Sequence, residues 1–275
     1  MKKLESNPHY SFSALTSFLQ CPMSFYLHNI EGVPSDGNAF SDYGSFCHKL
    51  LEDWEKGTIP LFALADEYEE GYQSNVTHAF PAFPKGMPEK FFLAGLEYFE
   101  NFSGFDEDYE ILEVEKKFSI QIRGHEIHGI ADVICRNKKT GKIEVIDHKS
   151  KSKASMKKEY QIYKKQLYLY AIYIKQEYGE WPARLRFNMF REGYWITEDF
   201  DEAYVKETED WIEDTIEKIE ATKDWAICPN WFFCMQLCDV IGSCPARDAI
   251  VTGAAFEKKE KTGRKKKEKE ENGDA

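Results

Sequence analysis

The chain has 275 residues, 42% of them hydrophobic and 15% aromatic, enough to bury a substantial core in one large domain or two small ones. A formal net charge of -12 argues against broad electrostatic coating of nucleic acid, and no run of about 18 apolar residues is present to span a membrane. The basic start MKKLESNPHYS has no apolar stretch behind it and does not read as a secretory signal, so a cytoplasmic location is expected, with the seven cysteines serving as thiols or metal ligands and not as disulfides.

In chain order, residues 11–29 read as a helix capped by Ser11 or Ser13 and interrupted at Pro22. Residues 32–38 form a loop. A second helix over 42–56 sets Phe46, Leu50 and Trp54 at four-residue spacing. Residues 57–108 read as a helical insertion, broken by the proline-rich HAFPAFPKGMP. Alternation predicts strands over 111–122, 126–136 and 142–149, the last two joined by the polar turn NKKTG. A tyrosine-rich amphipathic helix spans 160–178. A fourth strand covers 184–191, and 194–196 extends the sheet as a hairpin. A polar helix follows over 202–222, then a cysteine-bearing segment over 223–250. The tail at 257–275 has no apolar anchor after Phe256 and is expected to be disordered. Residues 1–256 are expected to form one domain. No G-x-x-x-x-G-K-[ST] occurs, so the chain carries no P-loop ATPase of its own.

The chemistry concentrates between Gly129 and Lys153. Two antiparallel strands here can bring Asp132 and Asp147 within reach of one cation, and Lys149, two residues on, points to the same face as Asp147. Paired carboxylates hold Mg²⁺ or Mn²⁺, which polarises a phosphate and acidifies water; an ammonium beside them offsets the charge that builds on phosphate. D-x-K alone is equally the signature of a surface ion pair. His48 and Glu52 share a helix face: the imidazole either adds a nitrogen ligand, favouring Mn²⁺, or simply hydrogen-bonds Glu52. Gln166 and Tyr170, also four apart, can look towards the metal. From Lys149 to Lys165 there are seven lysines against Glu159 alone. Lys151, Lys153, Lys157 and Lys158 are candidate backbone contacts, or one solvated helix face.

The ordered set G-x-x-x-H-x-x-L-E (44–52), G-x-x-D (129–132), D-x-K (147–149) and Q-L-x-x-Y (166–170) resembles the RecB-like branch of the PD-(D/E)xK nuclease superfamily, as does the opening S-x-S-x-L-x-x-x-x-x-C-P (11–22). The resemblance covers about residues 11–191. It implies an α/β, restriction-endonuclease-like core with a small central mixed sheet flanked by helices. By it, His48, Asp132, Asp147 and the backbone carbonyl of His148 are ligands of Mg²⁺ or Mn²⁺, Lys149 is the catalytic lysine, and Gln166 and Tyr170 shape the site. The chain departs mildly at Ala131, where the superfamily name has proline, and at His148, where an aromatic is more usual.

Cys21 and the cluster Cys234, Cys238 and Cys244 resemble the iron–sulfur staple of AddB-type nucleases and of iron–sulfur nucleases in CRISPR adaptation. By that resemblance they coordinate a [4Fe-4S] cluster. The three-residue gap between Cys234 and Cys238 is unusual, and Cys228 is a competing ligand. Four thiolates also suit Zn²⁺, and buried free thiols are the third option. Cys47 and Cys135 lie in apolar contexts and are expected in the core. The function expected is a metal-dependent DNA exonuclease acting on free ends in recombination, repair or phage DNA processing, with a helicase or recombination protein as a partner. The alternatives are a non-catalytic DNA-binding or assembly subunit and a structure-specific endonuclease.

Overall fold

The computed structural model describes residues 9–105 and 108–256; the charged tail lies outside them. Six strands form one mixed sheet: β1 (Tyr10–Ser11), β2 (Tyr109–Ile122), β3 (His125–Asn137), β4 (Ile143–His148), β5 (Arg184–Met189) and β6 (Tyr194–Asp199). The order is β1-β3-β4-β5-β6, with β2 paired along the whole of β3. Helices α1 (Phe12–Gln20), α2 (Pro22–Phe25), α3 (Ala39–Glu55), α4 (Leu64–Asn75), α5 (Met87–Asn101), α6 (Lys153–Tyr178), α7 (Ala203–Ala221) and α8 (Arg247–Val251) surround it. This is the mixed sheet flanked by helices that the resemblance implied. Among the described residues, no helix is long and apolar enough to cross a membrane.

The long β2–β3 hairpin closes on Arg123 and Gly124, both at positive φ (48° and 86°), as a tight two-residue turn with right-handed strand twist requires. The other edge of β3 is shared. Its first half pairs in parallel with β1 at Ile127 and His128, and its second half pairs with β4 from Val133 to Arg136. Asp132 falls in the gap between those two partners.

Alternation divides the core. Ile134 and Val145 face the layer that contains α1, α6 and α7, while Val133, Cys135 and Ile146 face Phe105, Tyr109, Ile111 and Trp195. A second cluster packs α3 against α4 and α5 through Tyr43, Leu51, Tyr68 and Phe91. Of these, α4 and α5 lie in the region expected as a helical insertion, and α3 is the helix expected before it.

Several boundaries differ from the expected ones for local reasons. Ser11 caps α1 by accepting from the Ala14 N–H (3.1 Å), and its own residue is in β1. Cys21 is extended because Pro22, at the start of α2, cannot continue the preceding helix. Asn38 and Ser41 form a reciprocal capping box that starts α3 earlier than periodicity alone suggested. Ser152 caps α6, so the lysine-rich stretch from Lys153 is helical as well. β5 stops at Met189, where Phe190–Glu192 turns as a 3-10 helix.

Candidate active site

The hairpin and the β3–β4 register build a row of carboxylates across three strands. Val114 pairs with Val133 and Lys116 with Ala131, which sets Glu115 opposite Asp132. Val133 pairs with Ile146, which sets Asp147 at the next position on the other side of Asp132. Opposed residues share a sheet face at close spacing, so Glu115, Asp132 and Asp147 stand side by side. Like charges so placed repel unless a cation compensates them.

His48 descends on this row from α3, its Nδ1 3.7 Å from Asp132 Oδ2. Among the described residues, His48, Glu115 and Asp132 are the one group of three or more His, Cys, Asp or Glu side chains whose ligand atoms all lie within 4.8 Å of one another. Asp147, fully buried, is instead held by its neighbours: Lys149 Nζ pairs with its Oδ2, and Tyr170 donates to its Oδ1 (3.2 Å). Gln166 donates in turn to the Tyr170 hydroxyl (2.7 Å). The backbone N–H of His148 donates to Asp132 Oδ2 (2.7 Å).

The electrostatics follow from burial and crowding. Burial, with His148 and Lys149 close by, pushes the His48 imidazole down to about 3, so it is a neutral nitrogen donor at neutral pH. Burial, with Asp132 and Glu52 close by, pushes the Glu115 carboxyl up to about 7. Burial opposes the charge on Lys149, yet Asp147 and Asp132 outweigh it and keep the ammonium protonated.

Glu115 lies outside every sequence motif of the site. Its φ of 50° is left-handed, uncommon for a residue with a side chain. The signal was present in the count: a two-residue turn at 123–124 makes 115 and 132 partners.

The site opens into a groove of about 1630 Å³. Its lining includes Ser11, Ser13 and Ser17 from α1 and its cap, Phe40 and Lys49 from α3, Lys117, Phe118 and Ile130 from the β2–β3 hairpin, and Lys151. Lys151 is paired with Glu159 (2.6 Å) and stands over the Tyr163 ring. Lys153, Lys157 and Lys158 are exposed on the first turns of α6 and do not line the groove. Lys164 and Lys165 are committed to Glu198 and Glu207.

Cys21, at the α1–α2 break, meets the 223–250 segment. Met23 N–H donates to the Ala226 carbonyl (3.0 Å), and Trp225 packs on Phe18, Phe25 and Tyr26. Cys228 and Cys244 each feel the charge of Cys21 and Cys234, and Cys238 that of Cys234, so five thiols share one neighbourhood. Cys21 and Cys234 are buried, Cys238 and Cys244 half-buried and Cys228 exposed. Cys47 and Cys135 are fully buried elsewhere, as expected of core thiols.

The sequence profile of the PD-(D/E)XK nuclease superfamily matches residues 9–245. The chain belongs to that superfamily. The match spans the carboxylate row, the groove and the three clustered cysteines near the C-terminus. Two solved structures are similar to this superfamily member. One is a protein of Eubacterium rectale provisionally named an exonuclease, at 11% identity over 84% of this chain and 94% of its own, with a TM-score of 0.43. The other is SSO0001, at 19% identity over 86% of this chain and 96% of its own, with a TM-score of 0.29. No curated protein matches the chain.

Proposed function

We propose that the protein is a metal-dependent DNA exonuclease. The observation that carries this reading is the convergence of Asp132, Asp147 and Lys149 on one face at the floor of a large groove. His48, Asp132 and Asp147, with the His148 carbonyl and with Glu115 as the added carboxylate, are the residues that would hold Mg²⁺ or Mn²⁺. The donor set fits: several oxygens and one neutral imidazole suit Mn²⁺ particularly well. A cation there supplies Lewis-acid polarisation of the phosphate and lowers the pKa of water. Lys149, held charged by Asp147, faces the position where negative charge builds on phosphate. Tyr170 and Gln166 fix the Asp147 carboxylate from α6. Ser11, Ser13 and Lys151 are placed for the DNA backbone in the groove, and Lys153, Lys157 and Lys158 for the strand as it leaves.

The thiol group at Cys21, Cys234, Cys238 and Cys244 is read as the ligand set of a [4Fe-4S] cluster with a structural role, Cys228 standing beside it. Its thiols share one neighbourhood, and four thiolates suit a polynuclear iron–sulfur cluster as they would a zinc ion. The setting that suits such an enzyme is cytoplasmic DNA recombination, repair or phage DNA processing, alongside a helicase or recombination partner.

The test is cleavage of end-labelled linear DNA, single- and double-stranded, with Mg²⁺ or Mn²⁺ and with EDTA, by the anaerobically purified full chain. Wild type is expected to degrade it only with metal, and Lys149→Ala to be slower by about 10²–10³-fold, the loss seen when one charge-stabilising donor is removed. DNA binding without cleavage would point to a non-catalytic subunit, and cleavage of covalently closed circles to an endonuclease.

A further inference from the structure

The side chain inside D-x-K does not face the groove. Its neighbours Asp147 and Lys149 point to one side of β4, so the His148 imidazole points to the other, where it is 1% exposed. There it is held at both nitrogens. Nε2 lies 2.8 Å from Glu55 Oε1 and Nδ1 lies 3.0 Å from Asn188 Nδ2. Glu55 and Asn188 are themselves buried, and Asn188 donates on to the Tyr98 hydroxyl (2.7 Å). A buried carboxylate and a buried amide are costly unless hydrogen-bonded, so this chain of contacts is a demanding arrangement for an interior to keep.

Each end of the chain of contacts is tied to the site. Glu55 lies seven residues, about two helical turns, after His48 on α3, and the His48 and His148 rings meet edge to face at 5.6 Å. The Asn188 carbonyl accepts the Lys149 N–H (2.8 Å). The His148 N–H is the donor to Asp132.

We propose that Glu55, His148 and Asn188 form the positioning framework of the site, fixing the backbone of residues 147–149 so that Asp132, Asp147 and Lys149 keep one geometry. None of the three side chains lines the groove; they act through the groups that do. The proposal rests on the nuclease reading above. It explains why a histidine occupies the position between the aspartate and the lysine: an apolar aromatic there could not bond to both α3 and β5.

The experiment compares wild type, Glu55→Gln and Glu55→Leu as full chains. Mn²⁺ affinity is read from the loss of the free-ion electron paramagnetic resonance signal, cleavage from single-turnover rates per folded molecule, and the folded fraction from unfolding in EDTA. Glu55→Gln keeps an acceptor for Nε2 and is expected to stay within a few-fold of wild type. Glu55→Leu fills similar space without an acceptor and is expected to lose about 10–100-fold in Mn²⁺ affinity and in rate, the usual cost of removing an outer hydrogen-bond partner, with DNA affinity unchanged. A mere packing role would lower stability alike in both variants and leave the affinity of the folded fraction intact; that result overturns the proposal. Should Glu55→Leu not fold, Asn188→Ala makes the same test from the other nitrogen, and wild-type Mn²⁺ affinity in it overturns the proposal equally. Wild type that neither binds Mn²⁺ nor cleaves DNA overturns the nuclease reading, and this one with it.

Discussion

Glu115 shows how much a single backbone angle decides here. Glu115 takes a left-handed φ of 50° opposite Asp132, and its carboxylate stands beside His48. Without a cation its charge is disfavoured: burial first, then Asp132 and Glu52, raise it to about 7. A carboxyl raised on folding binds its proton more tightly in the native state. Its contribution to stability is therefore complete below the unfolded value near 4.5 and is lost as pH rises through about 7. In EDTA, Glu115→Gln is expected to be more stable than wild type at pH 8, with the gap closing towards pH 5. Urea unfolding at the two pH values checks this, and an unchanged gap would contradict it. At this scale the sequence was legible where a motif names the residue: His48, Asp132, Asp147, Lys149, Gln166 and Tyr170 all meet at one site. It was not legible where the residue is named only by its partner across a strand, as with Glu115, or by a contact between distant elements, as with Glu55 and His148.

Among the elements, the β2–β3 hairpin sets the tolerances. Gly129 pairs with Phe118, and a Cβ at 129 would meet the Phe118 ring at 2.3 Å. The ring cannot retreat, because it is stacked on Tyr173 at 4.4 Å and abuts Tyr170 edge-on at 6.0 Å. The glycine of G-x-x-D is thus a seat for an aromatic ring that backs the Asp147–Tyr170 contact. Gly129→Ala is expected to cost about 1–3 kcal/mol, the usual penalty of overpacking, measurable by denaturant unfolding; a neutral effect would mean the ring is free to move. The strands and long helices could be read from alternation and spacing, since burial imposes both. Their ends could not, because capping decides them: Asn38 with Ser41 at α3 and Ser152 at α6 moved each start by several residues.

For the molecule as a whole, the cysteine-bearing segment is also a wall. Phe233, Leu237 and Asp239 line the groove. They are fixed there by the first forty residues: the Asp36 N–H donates to the Asp239 carbonyl (2.7 Å), Ser35 to the Asp239 carboxylate (2.7 Å) and Asn38 to the Leu237 carbonyl (3.3 Å). Joining such distant stretches removes a large loop entropy from the unfolded chain. With Cys234 among the ligands of the proposed cluster, Cys234→Ser is expected to lose iron, visible absorption and several degrees of melting temperature together, and to bind DNA more weakly. A variant that remains stable and coloured would remove the cluster from this account, while zinc in place of iron would be seen by elemental analysis of the wild type. The pairing of Cys21 with the later cysteines was readable only through resemblance, because no local pattern links residues two hundred positions apart.

The two sides of that wall are made at different times. A ribosome that has reached residue 200 has already released His48, Glu115, Asp132, Asp147, Lys149 and Tyr170, every group of the carboxylate row and its supports. It has not yet released Trp225, Phe233 or Asp239. A chain stopped there would hold the carboxylate row and most of the groove lining, without the part that Phe233, Leu237 and Asp239 add.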